Sequence, residues 1–278
     1  MARSPAPPAP PEADAETEAR SASRGIQSIE VGARLLLALV HLGQRAPLKD
    51  LAREADMSPA KAHPYLVSFG KVGLIAQDEA SGHYGLGPLA LQMGLISLQQ
   101  VDPIRLASAE LPALAREIGQ TVGIAIWGNR GPTFVRLEEG PTAVHVNMRH
   151  GTVVSVKGTA SGRLFAAHMP REQVLAALSA EAGHAVKRLD PALEAALPGI
   201  RAQHFASIVD GTVRGVTAIA APVFDGFGTM VAALTAIGPS ATLSPDIAGP
   251  AARCLRASAE ALSARLGARP DGRAQPGA

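Results

Sequence analysis

Two short runs carry the residues best suited to chemistry. The first is "KGTASGR", residues 157–163, which holds Ser161 near glycines, with His168 further along. A nucleophilic serine needs a base within hydrogen-bond reach and a group that orients the base. A G-x-S-x-G elbow would need glycine where Thr159 stands, and no Gly-Lys-Ser/Thr closes a glycine-spaced phosphate loop here. A helix start fits better. Thr159 is suited to cap it, leaving the amides of Ala160, Ser161 and Gly162 beside the positive end of the helix dipole, where a carboxylate is stabilised. A plain structural helix start would have the same sequence. The alternative is a small serine hydrolase using Ser161 or His168, and it lacks an evident base and orienter.

The second run is "SPAKAHPYLVSFGKVG", residues 58–73. Ser58 before Pro59 is a good helix start, because the hydroxyl caps and proline at the first position loses no hydrogen bond. Pro64 breaks the pattern. It removes the amide that would bond the Ala60 carbonyl, at a usual cost of about 3 kcal/mol. Either His63 caps a second start at Pro64, or the helix kinks and leaves that carbonyl to water. In both cases Ser58, Ala60, Lys61 and His63 lie near a helix N-terminus that favours a phosphate. From Met57 to Gln77 there are two lysines, one histidine and no acid.

Elsewhere the chemistry is sparse. The eight histidines are scattered without metal-ligand spacing, so no metal site is expected. The single cysteine, Cys254, excludes an intramolecular disulfide and sits in a helical run where packing is its expected role. Trp127 is suited to a core or to a cavity wall. Net charge is only +2, which by itself favours no nucleic-acid partner.

At 278 residues and 47 % hydrophobic content, the chain can build one large core or two ordinary ones. Its apolar runs are too short for a membrane helix. The Pro/Ala-rich, then acidic, stretch 1–24 has no signal-peptide core and reads as a disordered arm of a cytoplasmic protein, and 268–278 reads as a disordered tail.

Helical spacing predicts helices over 28–43, with Ile29, Leu36 and Val40 on one face, and over 47–57 and 58–73. A hairpin follows over 74–87, turning at Ser81-Gly82. Three helices and a hairpin make a winged helix-turn-helix, whose third helix is shaped for a DNA major groove. A connecting helix (88–102) and a long helix (103–119) come next. Three strand-like runs, "TVGIAIWG", "PTFVRLEEG" and "AVHVNMRHG", suggest a meander. Helices start at 159, 171 and 190, "GVTAIAAPVFD" pairs with "TMVAALTAIGP" across "GFG", and a helix closes the domain. The second domain (103–267) is thus an α+β sheet flanked by helices, suited to a small-molecule cavity.

The ordered phrases "LAREADMSPAKAHPYLVSFGKVGLI", "SGHYGLGPLALQMG", "TASGRLFAA" and "GVTAIAAPVFDGFGTMVAALTAIGP" resemble the IclR family of transcription regulators, over residues 25–267. The resemblance implies a winged helix-turn-helix DNA-binding domain (25–87), a linker helix, a GAF-like effector-binding domain, and dimers able to pair into tetramers. On this chain the expected DNA contacts are Ser58, Ala60, Lys61, His63 and Pro64 at the start of the third helix, and Ser81 and His83 on the wing. Relatives usually carry arginine where Pro64 stands. It implies effector contacts from Ala160, Ser161, Gly162, Ala218 and Thr235. Asp210, in "IVDGT", lies in a loop that often contributes a polar group, although the family's acidic pattern is irregular here. The expectation is a cytoplasmic regulator that catalyses nothing, needs no cofactor, binds an operator and responds to a small organic acid. A winged helix that binds only protein is a second rival, and salt-dependent DNA binding would reject it.

Overall fold

The structure is a computed structural model that describes residues 25–100, 102–141 and 149–268. The expected N-terminal arm, residues 269–278 of the expected tail, and most of "AVHVNMRHG" lie outside the described residues. The chain divides at Leu98/Gln99 into two compact units, each with its own core.

The first unit opens with helix α1 (Gln27–Leu42), closed by Gly43, whose left-handed φ of 66° lets its amide reach the Leu39 carbonyl. Its inner stripe is Gly32, Leu35, Ala38 and Leu39. That corrects the expected face, because Ile29 is 65 % and Val40 45 % exposed. The run at 35–40 is apolar all round, so periodicity does not fix its phase. Gly32 does: a Cβ there would lie 3.0 Å from both Tyr65 and Phe69, which close over it. Helices α2 (Leu48–Glu54) and α3 (Pro59–Lys71) complete the trio, burying Leu51, Ala52, Ala62 and Leu66 with Leu35.

Helix α3 is one helix, capped by Ser58, whose Oγ accepts from the Lys61 amide at 3.3 Å. A second start at Pro64 is therefore overturned. Thirteen residues of a capped helix packed through Ala62 and Leu66 hold the proline in place at the cost of one backbone bond. Strands β1 (Ile75–Gln77) and β2 (Tyr84–Leu86) pair antiparallel as the wing, and Ala46 bridges to Tyr84 on its other side. Helix α4 (Pro88–Gln100) follows and leaves Leu91, Met93, Leu95 and Ile96 exposed.

The second unit is built on an antiparallel sheet of order β4-β3-β7-β6-β5, where β3 is Thr121–Gly128, β4 Gly131–Glu138, β5 Ala206–Val209, β6 Val216–Phe224 and β7 Met230–Pro239. Side chains alternate between its faces. On one face Ala125, Ala220, Ala233 and Ile237 meet helices α6 (Ala160–His168), α7 (Arg171–Ala182) and α8 (Pro191–Gln203). On the other, Ile124, Ile219, Ala221 and Leu234 meet α5 (Pro103–Ile118) and α9 (Pro250–Arg265). The unit is thus two helical layers around one sheet, an α+β architecture. Strand β5 was missed in the sequence, where its four residues follow a helix after only His204 and Phe205. Beside β4, the backbone of 151–154 bonds to Pro132 and Phe134 without forming a regular strand.

Candidate functional site

In the first unit the residues expected to meet DNA fall on two elements. Ser58, Ala60, Lys61, His63 and Pro64 are all exposed, on the first turns of α3 or its cap. On the wing, Ser81 is partly engaged within its own turn: its Oγ donates to Asp78 Oδ1 at 2.9 Å and accepts from the His83 amide at 3.3 Å. The other Asp78 oxygen takes a 2.7 Å ion pair from Arg45 in the α1–α2 connection. The Ser81 amide and hydroxyl, then the Arg45 guanidinium, hold the Asp78 carboxyl below its usual range. Arg45, which sequence reasoning passed over, therefore braces the wing.

In the second unit a cavity of about 730 Å³ lies against the start of α6. Its floor is the helix-facing side of β6 and β7, which places Ala218, Thr235 and Ile237 there by strand alternation. Thr159, Ala160 and Ser161 form one wall, and the loop 211–215 another. The loop sits close because Gly211 lacks a side chain: a Cβ there would lie 2.4 Å from the Gly158 carbonyl oxygen. Thr212 Oγ1 then donates to that same carbonyl at 3.1 Å.

Four expected effector residues thus come together: Ala160, Ser161, Ala218 and Thr235. Two do not line the cavity. Gly162 has its amide bonded to Thr159 Oγ1 at 3.0 Å, and its Cα backs onto Ser155 and Val156. Asp210, at a left-handed φ of 53°, accepts from the Gly215 amide through Oδ1 at 2.6 Å and so shapes the loop from behind. Sequence reasoning missed Arg214. Among the described residues it is the one charged side chain lining the cavity, and an arginine inside the glycine-rich stretch "VDGTVRGV" was the available signal.

Ser161 Oγ lies 2.8 Å from Thr235 Oγ1, both side chains buried. The two hydroxyls share one proton between them, which leaves the other proton to donate elsewhere. His168 is two helical turns away, about 10 Å along α6, and its ring lies edge-on to Phe224 at 5.2 Å. Burial first, then the charges of His204 and Arg201, lower its pKa to about 4. It is no base for Ser161, so the hydrolase alternative is set aside. Trp127 is tilted against Phe165 at 5.8 Å outside this cavity, partly buried against the core and lining a separate, smaller hollow beside α7. Cys254 is half-buried, and burial and the Glu117 carboxylate raise its thiol to about 11, so it is an unreactive packing group. Among the described residues no cluster of three or more His, Cys, Asp or Glu could hold a metal ion, and no helix is long and apolar enough to cross a membrane.

A winged helix-turn-helix joined to an α+β unit is the plan of a DNA-binding transcription regulator. The family models of the IclR helix-turn-helix domain and of the bacterial transcriptional regulator IclR C-terminal domain match residues 28–79 and 96–264. The chain belongs to the IclR family of transcription regulators. It is similar to the crystal structure of Pseudomonas aeruginosa HmgR, with 37 % identity, a TM-score of 0.79, and coverage of 88 % of this chain and all of that one. The glycerol operon regulatory protein of Streptomyces griseus is 30 % identical over 88 % of this chain and 98 % of its own length. The Escherichia coli regulator KdgR is 25 % identical over 79 % and 85 %. The last two are named as regulatory proteins, not as enzymes.

Proposed function

We propose that the protein is a cytoplasmic transcription regulator, a homodimer or dimer of dimers, whose operator affinity is shifted by a small organic acid bound in the second unit. The observation that carries this reading is the cavity against α6. It is largely apolar, it has Arg214 as its charged lining residue, and it has the Ala160 and Ser161 amides at the positive end of a helix. The Ser161–Thr235 pair adds a hydroxyl proton for a carboxylate or carbonyl oxygen. An acid held there shifts DNA binding only by its difference in affinity between the two arrangements of the winged helices.

The test uses full-length protein and a panel of aliphatic and aromatic monocarboxylates, each beside its neutral amide. The expected result is a raised melting temperature with one or more acids and not with their amides, lost in Arg214→Gln. The same acid should change the gel-shift of the DNA upstream of the protein's own gene. A panel in which acids and amides act alike would reject the organic-acid reading.

A further inference from the structure

Successive residues of an α-helix turn by about 100°, so Ala60, Pro64, Val67 and Lys71 fall in one line on α3. Ala62 and Leu66 are buried on the opposite side. All four residues of that line are exposed, Val67 by 42 %. Lys61 and Ser68 flank the line on one side and His63 on the other. Ser68 Oγ donates to the Pro64 carbonyl at 2.9 Å, so its proton is turned along the helix. The middle of the outward face therefore carries three aliphatic groups and no side chain able to donate to a base.

That composition limits what the face can distinguish. In the major groove, guanine is recognised by Arg or Lys on O6 and N7, and adenine by Asn or Gln, whereas an aliphatic group distinguishes the C5-methyl of thymine. The surroundings match duplex DNA in charge: Lys61 and Lys71 suit phosphates, and no carboxylate occurs between Met57 and Gln77.

We infer that α3 selects thymine in the operator through methyl contacts from Ala60, Pro64 and Val67, with Val67 the main specificity-determining residue. The inference rests on the DNA-binding role of α3 and gives it a base preference. Pro64 then does more than fill an arginine's place. Its ring is a rigid apolar surface in the centre of the contact.

The experiment separates this inference from its premise. Full-length protein selects duplexes from a random pool at moderate salt, and the best duplex is then remade with each selected thymine replaced by deoxyuridine, which removes only the methyl group. Fluorescence anisotropy compares wild type, Val67→Ala and Val67→Thr. The expected result is a roughly four-fold loss per contacted methyl, the transfer worth of one buried methyl group. Val67→Ala should bind the thymine and uracil duplexes equally at one position with an unchanged salt slope, and Val67→Thr, which keeps one methyl, should restore part of the difference. Selected duplexes that tolerate every uracil substitution would overturn the inference and leave DNA binding standing. Failure to enrich any duplex, with binding insensitive to salt, would overturn both and point to a protein partner.

Discussion

Ser161 Oγ and Thr235 Oγ1, 2.8 Å apart, join the first turn of α6 to the middle of β7 at the cavity floor. Seventy-four positions of sequence separate them. The bond fixes where the helix N-terminus points, and so where its amides and dipole act. Removing one partner leaves the other hydroxyl without its bond in a buried place, which costs about 1–3 kcal/mol. Thr235→Val and Ser161→Ala should each destabilise the protein by about that much, and the double variant should lose clearly less than their sum. Urea unfolding monitored by circular dichroism measures the cycle. Strict additivity would mean that the two hydroxyls are each satisfied elsewhere.

Ser161→Glu tests the cavity itself. A carboxylate at this position occupies the place of the ligand's charge, beside the same amides and in the cavity that Arg214 also lines. Acid-induced stabilisation should disappear while DNA binding without ligand stays near wild type. Ser161→Ala should keep ligand binding, since the backbone and Arg214 carry most of it. Calorimetric titration with the best acid of the monocarboxylate panel measures both, and normal binding by Ser161→Glu would move the site away from α6.

His168 gives a pH dependence whose sign is fixed. Its folded pKa, about 4, lies below the ordinary 6.5, because burial and then the charges of His204 and Arg201 oppose protonation. The unfolded chain binds the proton more readily, so the stability from this residue is whole above about pH 6.5 and is lost as pH falls toward 4. Solvent at the partly exposed ring screens the effect, and the loss is on the order of 1–2 kcal/mol. His168→Gln should flatten the pH 4–6.5 limb of a stability curve measured by chemical denaturation. An unchanged limb would mean that the ring titrates normally.

On the DNA side, Lys61→Ala should weaken binding to all sequences alike and reduce the salt slope by roughly 0.9. Pro64→Arg should steepen the slope by a similar amount and tighten non-specific binding, while eroding the preference for thymine. Titrations at four salt concentrations against selected and random duplexes distinguish these outcomes. A Lys61→Ala slope equal to wild type would exclude a phosphate contact.

Much of this organisation is legible in the sequence, because both units follow local rules. Ser58, Thr159 and Gly43 mark helix ends through capping chemistry, and Ser81-Gly82 marks the wing turn, where Gly82 takes a left-handed φ of 70°. What was not legible depends on contacts between distant residues. The inward face of α1 is set by Tyr65 and Phe69 closing over Gly32, not by the apolar period of α1 itself. Arg214 lines the cavity on a loop that Gly211 lets press on Gly158, a contact between segments far apart in the chain. For Gly162 the motif located the cavity, but the residue packs against Ser155 and Val156 behind the cavity wall.

Gly162→Ala makes that packing measurable. A Cβ at this position would lie 2.2 Å from the Ser155 carbonyl oxygen and 2.5 Å from that of Val156. Real Cβ atoms do not approach so closely, and backbone cannot yield as a flexible side chain does. The 155–157 turn is further held by Thr159 Oγ1 donating to the Ser155 carbonyl at 2.7 Å and by the Val156 amide donating to Glu181 at 3.1 Å. Either α6 tilts at its first turn or that turn lifts, and both widen the cavity wall. The expected loss of stability is about 2–3 kcal/mol, at the upper end for an overpacked site. Acid binding should weaken by tenfold or more, because the Ala160 and Ser161 amides move off their positions. Thermal unfolding with and without the best acid of the panel measures both effects. A residue that only contacted ligand would change binding and leave the melting temperature of the ligand-free protein where it was, and that outcome would restore Gly162 to the ligand site.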